Sequence, residues 1–95
     1  MIRMTVFYSG RVQGVGFRYT VTQIAERFAV AGYVQNLPDG RVRLVAEGVA
    51  AQLKSFIEAV DDRMSRYIDQ KTAGQTDATG EFGEPDGTHT FTVRY

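Results

Sequence analysis

The sequence predicts an α+β fold in which two helices cover one face of an antiparallel sheet. Three observations lead there. Several segments alternate apolar and polar residues, as half-buried strands do. Two others repeat apolar residues at helical spacing, with one stripe each. Turns rich in glycine and proline divide these segments into the order β-α-β-β-α-β, with a short extra strand at the end.

Residues 4–12 form the first strand. Met4, Val6, Tyr8 and Val12 share one face and Thr5, Ser9 and Arg11 the other, with Phe7 breaking the pattern. The turn Gln13-Gly14-Val15-Gly16 leads into a helix whose stripe is Phe17, Val21, Ile24, Ala25 and Phe28, and Gly32 is expected to stop it. Residues 33–35 begin a second strand. Asn36-Leu37-Pro38-Asp39-Gly40 is turn chemistry, because Pro38 presets φ and Gly40 accepts positive φ. Residues 41–47 return with Val42, Leu44 and Ala46 facing one way, which completes a β-hairpin closed by Gly48. Leu53, Phe56, Ile57, Val60 and Met64 mark a second amphipathic helix beginning near Val49. A fourth strand is expected over residues 67–72, where alternation is weak. Residues 74–83 are polar, Pro85-Asp86-Gly87 is another turn, and Phe91, Val93 and Tyr95 alternate with Thr92 and Arg94 in a closing strand. Half-buried strands and single-striped helices pack economically as a split βαβ, or ferredoxin-like, sandwich.

A chain of 95 residues fits one domain, expected over 1–95. Its 43% hydrophobic content belongs to a folded domain rather than a disordered one. Eleven Lys and Arg balance eleven Asp and Glu, so no net charge draws the molecule to nucleic acid or anionic lipid. The lack of cysteine excludes disulfides, thiolate metal sites and a cysteine nucleophile. The single histidine, His89, cannot build a multi-histidine site, and beside a polar turn it is expected to be solvated. No apolar run approaches the ~20 residues of a membrane span, and residues 1–5 lack the apolar core of a signal peptide. The expectation is a cytoplasmic monomer with no metal, no cofactor, and no nucleic-acid or membrane partner.

The most informative segment is Gly10-Arg11-Val12-Gln13-Gly14-Val15-Gly16-Phe17-Arg18, which joins a strand to a helix N-terminus. Backbone N–H groups there have no helical partner, and the helix dipole is positive. Gly14 and Gly16 let the backbone curl into a nest suited to phosphate. Arg18, in the first helical turn, offers a two-pronged grip on phosphoryl oxygens. Gly16 is followed by Phe17-Arg18, not Lys-Ser or Lys-Thr, so this is no Walker loop. The third glycine of a dinucleotide fingerprint is also missing. A plain tight turn with a surface arginine has the same spacing. Asn36, in Gly32-Tyr33-Val34-Gln35-Asn36, is either a turn former or a carboxamide able to hold a water without repelling an anion.

Together, Gly-x-Val-Gln-Gly-Val-Gly-Phe-Arg over 10–18 and Gly-Tyr-Val-x-Asn-x-x-Asp-Gly-x-Val from Gly32 resemble the acylphosphatase family, in its order and spacing. The resemblance implies a ferredoxin-like fold and metal-free hydrolysis of acyl phosphates, with inorganic phosphate as product and competitor. It carries phosphate binding onto Gln13, Gly14, Val15, Gly16, Phe17 and Arg18, and positioning of the attacking water onto Asn36. Residues 61–67, Asp61-Asp62-Arg63-Met64-Ser65-Arg66-Tyr67, depart from the family's pattern. Asp61, Asp62 and Arg63 are expected to be a solvated helix end. Ser9 lies near enough to line the site but has no base to activate it. The alternative is a non-catalytic ferredoxin-like module that binds RNA through strand aromatics, or binds phosphorylated small ligands.

Overall fold

The computed structural model describes residues 1–83 and 91–95. The Pro85-Asp86-Gly87 turn and His89 lie outside the described residues. The elements are β1 (Ile2–Gly10), α1 (Phe17–Ala25), β2 (Ala31–Asn36), β3 (Val42–Gly48), α2 (Ala50–Arg63), β4 (Ile68–Asp77) and β5 (Phe91–Arg94), with a 3-10 turn at Ser65–Tyr67. The sheet order is β4-β1-β3-β2-β5. It is the expected ferredoxin-like α+β arrangement, except that the sheet is mixed. β1, β3, β4 and β2 pair antiparallel, but β5 runs parallel to β2. Strand direction explains the correction. β1 and β2 point one way, β3 and β4 the other, and one further reversal after β4 turns β5 back into the direction of β2.

The core lies between the sheet and the helices. Val6 and Tyr8 of β1, Val34 of β2, and Val42 and Leu44 of β3 meet Phe17 and Val21 of α1 and Leu53, Phe56 and Val60 of α2. The Tyr8 ring packs 5.2 Å from Phe17, and Phe56 lies 5.4 Å from Phe91. Asp61 is more than a solvated helix end. It accepts a 2.8 Å hydrogen bond from the Tyr8 hydroxyl and an ion pair from Lys71. Burial, reinforced by the Asp61 carboxylate, pushes the Tyr8 phenol well above its ordinary range. Among the described residues no helix is long and apolar enough to cross a membrane.

α1 is shorter than its stripe implies. It ends at Ala25, where Arg27 N–H bonds to Ile24 O and Phe28 N–H to Ala25 O in tighter turns. Ala29 N–H then donates to Gln52 Oε1 of α2. Phe28 packs on the core from outside the helix, 5.9 Å from Phe56. Gly32 is not the helix stop. It lies within β2, where a Cβ would sit 1.9 Å from the Val45 carbonyl oxygen. The glycine is there because two backbones approach too closely for a side chain.

β4 extends to Asp77, past the expected end at 72, and pairs with β1 from Ile2↔Asp77 to Ser9↔Gln70. Its residues after Ile68 are exposed, so the backbone ladder, rather than an apolar face, holds it. Beyond β4 the chain is fastened to the sheet by Glu47. This carboxylate is 2% exposed and accepts from Thr79 N–H (2.8 Å), Thr79 Oγ1 (2.9 Å), Gly80 N–H (2.9 Å) and Arg3 Nε (2.8 Å). Burial alone would raise its pKa, but the donated hydrogen bonds outweigh burial and hold it at about 2.

Candidate active site

The chain leaves β1 at Gly10 and reaches α1 through residues 11–16. Gly14 (φ 76°) and Gly16 (φ 79°) are both left-handed, and Gly16 is the N-cap of α1. A Cβ at either would meet nothing within 4 Å, so backbone shape, not space, calls for glycine. No side chain caps α1 and no acidic residue stands in its first turn. Its positive end therefore faces no carboxylate of its own helix.

Beside this helix end is a hollow of about 260 Å³. Gly14 and Gly16 of the loop, Phe17, Arg18, Tyr19 and Thr22 of α1, and Asn36 at the end of β2 line it. Val93 and Tyr95 close it from β5 and the residue beyond. Arg18 is one step into α1, with its guanidinium over the Tyr95 ring, 4.8 Å from the centroid. Among the described residues it has no ion-pair partner. Asn36 pairs with Val42 across the hairpin, and among the described residues its buried Oδ1 has no hydrogen-bond donor. An unsatisfied buried acceptor costs roughly 1–3 kcal/mol, so the carboxamide is not explained by stability. A half-turn about χ2 exchanges its oxygen and nitrogen at the hollow.

Of the residues expected at the site, Gly14, Gly16, Phe17, Arg18 and Asn36 come together here. Phe17 contributes little wall, since its ring is 2% exposed and packed on Tyr8. Gln13 and Val15 do not line the hollow. Gln13 Nε2 donates to the carbonyls of Leu37 (2.8 Å) and Arg41 (3.0 Å), tying the loop to the β2–β3 turn. Val15 packs against the core and borders a separate cleft with Arg66 and Tyr67. Ser9 is also outside the hollow. Tyr19, Thr22, Val93 and Tyr95 also line the hollow, beyond the residues expected there. Thr22 follows Arg18 by one helical turn, which is a legible signal. Val93 and Tyr95 share one side of β5 with Phe91, but their closeness to Asn36 appears only once β5 is known to pair with β2. Among the described residues no group of three His, Asp or Glu side chains gathers as a metal site would.

The fold and the hollow define a small α+β sandwich with a concave site at a strand-to-helix loop and an uncapped helix N-terminus. The acylphosphatase family model matches residues 4–91. An acylphosphatase of Nostoc sp. is 38% identical over 94 residues, covering 99% of this chain and 87% of that protein. One from Haloarcula marismortui is 40% identical over 93 residues, covering 98% and 96%. The crystal structure of acylphosphatase from Bacillus subtilis superposes with a TM-score of 0.83 at 34% identity, covering 100% of both chains. The chain belongs to the acylphosphatase family and is an enzyme of that class.

Proposed function

We propose that this enzyme hydrolyses acyl phosphates in the hollow beside α1, as a monomer and without a metal or cofactor, releasing a carboxylate and inorganic phosphate. The observation that carries this reading is that Arg18 and Asn36, from motifs far apart in sequence, line one hollow at an uncapped helix N-terminus. The loop amides from Gly14 to Arg18 and the Arg18 guanidinium hold the phosphoryl oxygens. Asn36 holds the attacking water.

The substrate needs little more. Its leaving group is a carboxylate, a weak base that departs without a general acid. Phosphoryl transfer passes through a loose transition state with charge on the equatorial oxygens, so positioning and electrostatic stabilisation dominate. Water oxygen bonds to phosphorus as the bond to the acyl oxygen breaks. The electron pair leaves with the carboxylate, and a phosphoryl oxygen takes the water's proton. No histidine base is required.

The alternative RNA module requires strand aromatics open to bases. On the sheet face away from the helices, Tyr33 is only 8% exposed, beneath the Arg94 guanidinium at 3.7 Å. Hydrolysis is therefore the better-supported reading. Benzoyl phosphate turnover with chelator present tests it, with inorganic phosphate added as competitor. Turnover should survive chelation and fall with phosphate. Arg18→Ala should lose nearly all activity, and Arg18→Lys should recover only part, because a point charge lacks the fork. Asn36→Ala should lower kcat by about 100-fold or more, as loss of a positioned group does, and change phosphate inhibition far less. A near-wild-type rate for Arg18→Ala would refute the assignment.

A further inference from the structure

Tyr19 and Tyr95 are large apolar side chains left open to solvent, 68% and 92% exposed. Both line the hollow that holds Arg18 and Asn36. An exposed aromatic adds little to folding, and two at the rim of one concave site point to a ligand. One face of the Tyr95 ring lies over the Arg18 guanidinium, and the residue's exposure leaves the other face to solvent. No ion pair among the described residues engages Arg18, so its N–H donors remain available for phosphoryl oxygens while the cation sits over the ring.

We infer that Tyr19 and Tyr95 are specificity-determining residues that receive the acyl group, and that they favour acyl phosphates with an aromatic or bulky apolar acyl part over acetyl phosphate. This inference rests on the hydrolytic reading above. In an acyl phosphate one bridging oxygen joins the two halves, so a phosphoryl group held by Arg18 and the loop fixes the acyl carbon close by. The other side chains lining the hollow include Val12, Thr22 and Val93, none of them charged. An aromatic acyl group gains ring contacts against Tyr19 and Tyr95 that a methyl group cannot make.

The test compares kcat/KM for benzoyl phosphate and acetyl phosphate in wild type, Tyr19→Ala, Tyr95→Ala and Tyr95→Phe. The wild type should prefer benzoyl phosphate. Each alanine variant should lower that preference by about three- to tenfold, the range of a single aromatic contact. Tyr95→Phe should restore it, since the ring, not the hydroxyl, makes the contact. A far-UV spectrum like wild type's accompanies each variant. No preference in wild type, or equal losses on both substrates in the alanine variants, would overturn the inference while leaving hydrolysis standing. A wild type that turns over neither substrate would instead overturn the hydrolytic reading itself.

Discussion

A guanidinium with no carboxylate beside it keeps its N–H donors for an incoming anion, and among the described residues Arg18 is in that position. Its neighbour Gly16 contributes shape instead of charge, through a left-handed backbone that no side chain crowds. Gly32 serves a different need, since a Cβ there collides with the Val45 oxygen. The two glycines should therefore respond differently to alanine. Gly16→Ala should cost about 1 kcal/mol of stability, the left-handed penalty alone, together with a clear loss of activity. Gly32→Ala should cost about 3 kcal/mol, since strands must part. Urea unfolding midpoints of the two variants decide this, and equal losses would contradict it. From sequence, Gly16 is legible because a glycine just before the helical stripe that begins at Phe17 has a local cause. Gly32 reads as a helix stop from sequence order, because its true cause is a carbonyl on a different strand.

Between elements, the loop before α1 and the β2–β3 turn are joined by the Gln13 carboxamide. It bonds two carbonyls, of Leu37 and Arg41, on the hairpin whose first strand ends in Asn36. Gln13 thus ties the loop that precedes Arg18 to the hairpin that carries Asn36, without lining the hollow. Gln13→Ala should raise KM for benzoyl phosphate about tenfold through a misplaced loop and lower stability by about 1–2 kcal/mol. Unchanged KM would show that the loop holds its shape alone. The strands with a buried face were legible, since Val6 and Tyr8 or Val42 and Leu44 alternate visibly. β4 was read short because its exposed residues carry no alternation, and a backbone ladder leaves no trace in side-chain order. Asp61 looked like surface for a similar reason. Its partner, Tyr8, is distant in sequence.

For the molecule as a whole, Glu47 links the sheet to the chain beyond β4 and sets an acid limit. Its carboxyl sits at about 2 in the folded protein against an ordinary 4.5. Between those values the unfolded chain binds the proton more readily, so stability should be level above about pH 4.5 and fall as pH approaches 2. Glu47→Gln should be less stable at neutral pH and show a shallower acid decline. Unfolding midpoints measured from pH 2 to 7 check both, and parallel curves would remove Glu47 as the cause. Tyr8 is the opposite case, with its phenol raised, so its share of stability is complete below the ordinary tyrosine range and lost in strong alkali. The global architecture was legible from element order, but the direction of β5 was not, because it depends on which sheet edge remains open.

The hollow draws on side chains and backbone between Val12 and Thr22, on Asn36, and on Val93 and Tyr95. During translation these stretches emerge from the ribosome at well-separated times, and β5 follows every other strand out of the exit tunnel. A nascent chain that has completed four strands already owns Arg18 and Asn36, yet lacks the wall that Val93 and Tyr95 supply. On the proposed hydrolytic reading, turnover should rise only once β5 has docked beside β2, later than the circular dichroism of the helices.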